Sequence, residues 1–142
     1  MIKETSVRKT SILLVDDNPA VLEQVSNLLK RDQEYEVVAK FDNGATVLEQ
    51  YALVRPDVVV LDISMGATSG IDVAAHLRDS GYQCKIVFLS VHEDVDFVNA
   101  AIGAGGSAYV VKSRISTDLI LAIDAVLTHK LFVSPTLLYA HL

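Results

Sequence analysis

Four short runs of consecutive apolar residues punctuate the chain, and each stops at a polar residue: Ile12-Leu13-Leu14-Val15 at Asp16, Val58-Val59-Val60-Leu61 at Asp62, Ile86-Val87-Phe88-Leu89 at Ser90, and Ala108-Tyr109-Val110-Val111 at Lys112. Continuous apolar runs of this length, rich in β-branched residues, predict strands buried on both faces, the pattern of a parallel sheet covered by helices. The predicted strands are β1, about residues 11 to 16; β2, Tyr35 to Phe41; β3, residues 57 to 62; β4, Lys85 to Leu89; and β5, Ala108 to Val111.

Between them the apolar residues recur every three or four positions, the spacing of an amphipathic helix. Asn18-Pro19 is a helix start, with Asn as the cap and Pro in the first helical position. Helix α1 runs from there to about Lys30, with Val21, Leu22, Val25, Leu28 and Leu29 as its buried stripe. Helix α2 spans Ala45 to about Val54 and is closed by Arg55-Pro56, since Pro cannot continue a helix. Helix α3 spans about Ile71 to Asp79 and stops at Ser80-Gly81. Helix α4 covers Asp94 to about Ala104, and α5 about Ser116 to His129.

Strands alternating with helices call for right-handed crossovers and a doubly wound sheet. Five such units match a flavodoxin-like α/β fold with a five-stranded parallel sheet in the order 2-1-3-4-5 and five helices. In that order β1 and β3 are neighbours, so Asp16, Asp17 and Asp62 converge on the carboxyl rim of the sheet, where Ser90 and Lys112 also arrive. Open α/β sheets bind ligands at that rim.

Composition narrows the reading. The chain has 142 residues, 51% of them hydrophobic, which suits one domain with a filled core. Residues 1–10 read as a polar leader, 11–130 as the domain and 131–142 as a carboxyl-terminal extension. A net charge of −6 argues against this polypeptide holding a nucleic-acid backbone by itself. The leader lacks the apolar centre of a signal peptide and no run approaches the roughly 20 residues that span a bilayer, so a cytoplasmic protein that does not enter the membrane is expected. Cys84 has no cysteine partner and, at the start of an apolar run, is expected to be a buried, inert thiol.

Three carboxylates at one rim repel. Two unit charges about 4 Å apart cost roughly 4 kcal/mol at an effective dielectric of about 20. Such a cluster needs a cation, and oxygen-only ligands suit Mg²⁺, which shares its shell readily with a phosphate. Asp16, Asp17 and Asp62 are the candidate metal ligands, with the backbone carbonyl of Ser64 completing the set. An aspartate beside Mg²⁺, a lysine and a hydroxyl is equipped for phosphoryl transfer: Asp62 as nucleophile, Lys112 neutralising phosphoryl oxygens, Ser90 donating to the new phosphate.

These residues resemble the receiver domains of two-component response regulators, and among them the LuxR-type transcriptional regulators. Asp16-Asp17 looks like the family's acidic pair, Asp62 its phosphoacceptor, Ser90 its switch hydroxyl, Tyr109 its switch aromatic and Lys112 its lysine; Asp62-x-x-Met65 and Gly70 stand at the family spacing. The resemblance implies a bacterial phosphoprotein that takes a phosphoryl group from a sensor histidine kinase in a Mg²⁺-dependent reaction and catalyses only its own phosphorylation and dephosphorylation. It also implies a phosphorylation-dependent homodimer through the α4-β5-α5 face, with the phosphate drawing Ser90 inward and Tyr109, on the edge strand, turning after it. Three positions depart from the family pattern: Gly66 stands where Pro usually follows the methionine, Ser113 where Pro usually follows the lysine, and Val91 where Ala usually follows the switch hydroxyl.

Leu131-Phe132-Val133-Ser134-Pro135 resembles the segment leading to a DNA-binding domain, with seven residues after Pro135. A receiver excised from a longer, DNA-binding regulator is therefore expected, the chain itself binding no DNA; a stand-alone receiver acting by protein contact is the alternative. A Mg²⁺-dependent phosphohydrolase with an aspartyl nucleophile is a second alternative, but such enzymes carry their nucleophile on the first strand with a second acid two residues on. A flavodoxin-like cofactor binder fits less well, because Asp16-Asp17 would repel a phosphate after β1. Gly103-Ala104-Gly105-Gly106 follows a helix and precedes a strand, the reverse of a phosphate-cradling loop, and reads as the stop of α4. Of the histidines, His76, His129 and His141 read as surface residues, while His92, two residues past Ser90, belongs to the rim.

Overall fold

The computed structural model describes residues 8–135. Strand β1 is Thr10–Val15, β2 Tyr35–Phe41, β3 Val58–Asp62, β4 Lys85–Ser90 and β5 Ala108–Val111, and a sixth strand, β6, is Phe132–Val133. The helices are α1 Pro19–Lys30, α2 Gly44–Val54, α3 Gly70–Asp79, α4 Val95–Gly103 and α5 Ile115–Leu127, with a 3-10 turn over Lys112–Arg114. All strand pairings in the main sheet are parallel and its order is 2-1-3-4-5-6.

The strands alternate their side chains between two cores. Leu13, Val15, Val59 and Leu61 face one side with Val47 of α2 and Val73 and Leu77 of α3. Ile12, Leu14, Val58 and Val60 face the other with Val25 and Leu29 of α1 and Leu119, Ile123 and Val126 of α5. Period-two alternation makes one apolar run serve both layers, which is why VVVL has no polar residue to spare. Each fully buried Val or Leu contributes about 1.5–3 kcal/mol, so these runs fix the register and deliver the residues after them to one rim. Asn18 caps α1 as its sequence requires, its side chain accepting from the Ala20 N–H at 2.9 Å.

Several details differ from the sequence reading. The sheet has six strands, because Phe132 and Val133 pair with Ala108 and Tyr109; β5, expected to be the edge strand, is therefore internal, and the segment expected as an extension adds a strand. The buried Ser134 hydroxyl accepts the Val111 N–H at 3.0 Å, which pins that segment further. The stretch 63–69, expected to be a loop, contains a two-residue hairpin pairing Ser64–Met65 with Thr68–Ser69. Gly66 turns it with φ +60°, a backbone that glycine adopts without steric cost. Cys84 is half-buried and not enclosed. Leader residues 1–7 and residues 136–142, including His141, lie outside the described residues. Among the described residues no helix is long and apolar enough to cross a membrane.

Candidate functional site

Strand β1 leads into Asp16, 1% exposed, with Asp17 in solvent beside it, and β3 delivers Asp62, also 1% exposed. One carboxylate oxygen from each lies within 4.8 Å of the others, so the three acids expected at the rim do converge. Lys112, leaving β5, places its Nζ 2.9 Å from Asp16 Oδ2 and 3.3 Å from Asp62 Oδ1. One ammonium thus pairs with two of the three clustered carboxylates.

Backbone N–H groups take part of the remaining charge. Asp16 Oδ1 accepts from Asn18 at 2.9 Å, and Asp62 Oδ1 accepts from Ser64 at 3.1 Å. Asp62 Oδ2 is buried and meets no hydrogen-bond donor among the described residues. Burial first, and then the charge of Asp16, push the Asp62 carboxyl up to about 6 in spite of Lys112 and the Ser64 N–H. Burial works against the charged form of Lys112, but its hydrogen bond to Asp16 and the charges of Asp62 and Asp16 outweigh it and hold the ammonium above its ordinary range.

The backbone passes closest at Gly70, the first residue of α3. A Cβ there would stand 2.2 Å from the Asp62 carbonyl oxygen, so only glycine lets this helix start against the end of β3. The residue thereby sets the position of the acid it follows by eight positions.

Ser90, at the end of β4, is 1% exposed, and its hydroxyl accepts the His92 N–H at 2.9 Å. Tyr109 is wholly buried and donates its hydroxyl to the His92 carbonyl at 2.8 Å. The two residues expected to act as a pair are therefore joined through the backbone of His92, a link that residue spacing does not reveal. The His92 ring stacks on Phe97 with centroids 4.0 Å apart and planes at 1°, and its Nε2 lies 3.4 Å from the exposed Ser64 hydroxyl. His92 and Ser64, each two residues beyond a rim residue, thus meet at the mouth of the site. Val91, which stands where the family usually has Ala, is 67% exposed. The Lys112–Ser113 bond is trans.

A parallel sheet presenting paired acids, a buried aspartate and a lysine at its carboxyl rim defines a class, and comparison with known proteins agrees with it. Residues 12–124 match the model of the response regulator receiver domain, and the chain belongs to that family. It is the receiver domain of a two-component response regulator, related to the LuxR-type transcriptional regulators. It is 31% identical over 128 residues to the transcriptional regulatory protein DesR of Bacillus subtilis (strain 168), covering 90% of this chain and 63% of that protein. The nitrate/nitrite response regulator protein NarP of Escherichia coli (strain K12) is 34% identical over 114 residues, 80% of this chain and 53% of the relative. The crystal structure of a LuxR-family two-component response regulator from Aurantimonas sp. SI85-9A1 superposes with a TM-score of 0.88 at 32% identity, covering 93% of this chain and 94% of that one. The chain spans less than two thirds of the length of these curated relatives.

Proposed function

We propose that this receiver accepts a phosphoryl group on Asp62 from the phosphohistidine of a sensor histidine kinase, and that the phosphorylated state controls transcription through a longer regulator of which residues 11–130 are the receiver. The observation that carries this reading is Asp62 Oδ2, a buried carboxylate oxygen without a donor among the described residues, on a side chain that clusters with two further acids and whose other oxygen lies 3.3 Å from Lys112. An orphaned buried acceptor costs about 1–3 kcal/mol, so its retention argues for a partner that arrives from outside the chain.

The donor set fits Mg²⁺: Asp16, Asp17 and Asp62 offer hard oxygens within reach of one ion, and the Ser64 backbone carbonyl is the proposed fourth ligand. When bound, the ion supplies positive charge to the phosphoryl oxygens. The chain's own residues do the rest. An Asp62 oxygen attacks phosphorus and forms the new P–O bond as the P–N bond breaks, its electron pair staying on the kinase imidazole. Lys112 neutralises a phosphoryl oxygen, and the Ser90 hydroxyl, released from the His92 N–H, donates to the phosphate. Moving Ser90 frees the His92 backbone and with it the Tyr109 hydroxyl, which carries the change to α4, β5 and α5, the face proposed for a phosphorylation-dependent homodimer. The chain is proposed to turn over no external substrate and to bind no DNA itself.

Incubation with acetyl phosphate and Mg²⁺ tests this reading. One phosphoryl group per chain should be taken up and then lost slowly, with no sustained release of inorganic phosphate beyond the rate of that loss. Rapid multiple turnover would show a phosphohydrolase instead.

The contact between Ser64 and His92 gives a second expectation. We propose that a water approaching phospho-Asp62 from solvent passes these two side chains, so His92→Ala should change the lifetime of the phosphoryl group while leaving its attachment intact. Equal decay in the two proteins, followed by intact mass, removes His92 from the hydrolytic path.

A further inference from the structure

The acidic rim has a basic counterpart at the opposite, amino-terminal edge of the sheet. A cleft of about 570 Å³ opens there among the residues that begin β1, β3 and β4 and those that close α5. Clefts that hold small organic ligands span about 300–1,000 Å³. On a chain of net charge −6, this lining carries Arg8, Lys9, Arg55 and Lys85 against one carboxylate, Asp57.

That carboxylate is already satisfied. Asp57 pairs with Arg8 at 2.8 Å and accepts the Ser11 N–H at 2.8 Å and the Ser11 hydroxyl at 3.1 Å. Lys9, Arg55 and Lys85 meet no carboxylate among the described residues, and Lys85 Nζ lies 3.1 Å from His129 Nδ1. Among the described residues the lining thus holds four cations and one carboxylate, and an anion would offset that excess of positive charge.

The backbone supplies an independent sign. Among the described residues the non-glycine positions with left-handed φ are Arg55, at +44°, and His129, at +62°, and both line this cleft. Each follows a helix, where glycine or asparagine adopts this conformation at little cost. Here it is imposed on a cation and on an imidazole facing a second cation, and strain of this kind gathers at binding sites. Part of the wall is apolar: Tyr82 packs on Tyr51 with centroids 4.2 Å apart, and Leu127 is 37% exposed.

We propose that this cleft binds a small phosphorylated aromatic molecule of nucleotide size, its phosphate held by Lys9, Arg55 and Lys85 and its ring laid against Tyr82 and Leu127. Such a site is separate from the Asp62 rim and does not depend on the reading of that rim. The test uses adenosine monophosphate as probe on the full chain in EDTA, which leaves the carboxylates of the rim to repel it, followed by amide shifts. Saturable binding is expected, with shifts at residues 8–10, 55–57, 81–85 and 127–129. Lys85→Gln should weaken it about tenfold, the scale of one charge-assisted hydrogen bond, and the solvent-facing pair Lys9→Gln with Arg55→Gln should do so if the first variant does not fold. Adenosine and inorganic phosphate, each carrying half of the proposed recognition, should bind more weakly than the probe. The proposal is overturned if the probe does not saturate, if inorganic phosphate binds as well, if shifts centre on Asp62, or if the folded variants bind like the parent.

Discussion

Replacing Lys112 by methionine should destabilise the metal-free protein by about 3 kcal/mol at pH 8, the lower end of what removing one partner of a buried ion pair costs. Among the described residues Lys112 is the single ammonium within ion-pair distance of Asp16 and Asp62, both nearly sealed from water. Methionine keeps most of the stem's packing, so the loss reports the charge and not a cavity. What remains is two buried carboxylates and an exposed third with backbone N–H donors alone. Mg²⁺ should restore much of the lost stability, because an ion held by the folded form alone would replace the missing positive charge; at about 100 times its dissociation constant a ligand adds roughly 2.7 kcal/mol. Urea denaturation in EDTA and in Mg²⁺ separates the two effects. A variant as stable as the parent in EDTA would mean that the cluster does not need its lysine.

The second large effect concerns pH. Asp62 keeps its proton up to about pH 6 in the folded protein, through burial and the nearby charge of Asp16, whereas an aspartate in an unfolded chain releases it near 4. Between those values the native state binds more protons than the unfolded one, so stability falls as pH rises. The deficit is absent below about pH 4 and complete above about pH 6. Its size should be on the order of 1–2 kcal/mol, reduced from the full value because Asp17 and part of Lys112 reach solvent and screen the site. Asp62→Asn, which mimics the protonated acid, should flatten this slope in EDTA and be more stable than the parent at pH 7. Parallel stability profiles for the two proteins between pH 4 and 7 would contradict the electrostatic account.

Much of this was legible in the sequence because the signals are continuous. ILLV, VVVL and IVFL leave no doubtful periodicity, and each polar residue that ends a run has to emerge at the same edge of a parallel sheet. The convergence of Asp16, Asp17, Asp62 and Lys112 follows from that edge and the strand order. What escaped notice depends on short or scattered features. Strand β6 is two residues long and exists because the outer edge of β5 is open to it and Ser134 ties down the Val111 N–H; no periodicity can show in two residues. The hairpin at Ser64–Met65 and Thr68–Ser69 is equally brief. The bridge from Ser90 to Tyr109 runs through backbone atoms of His92, which side-chain identity does not encode. The basic cleft gathers Lys9, Arg55 and Lys85 from three distant places, so no charge run announces it.

The central claim is that Asp62 is where the phosphoryl group attaches, and intact-protein mass after exposure to acetyl phosphate and Mg²⁺ tests it most directly. The parent should gain the mass of one phosphoryl group, lose it on standing, and gain none in EDTA. Asp62→Asn should gain none under any of these conditions while giving the same far-ultraviolet circular dichroism as the parent. Labelling of the folded Asp62→Asn variant to the same extent as the parent, or a parent that takes up no phosphoryl group, would contradict it.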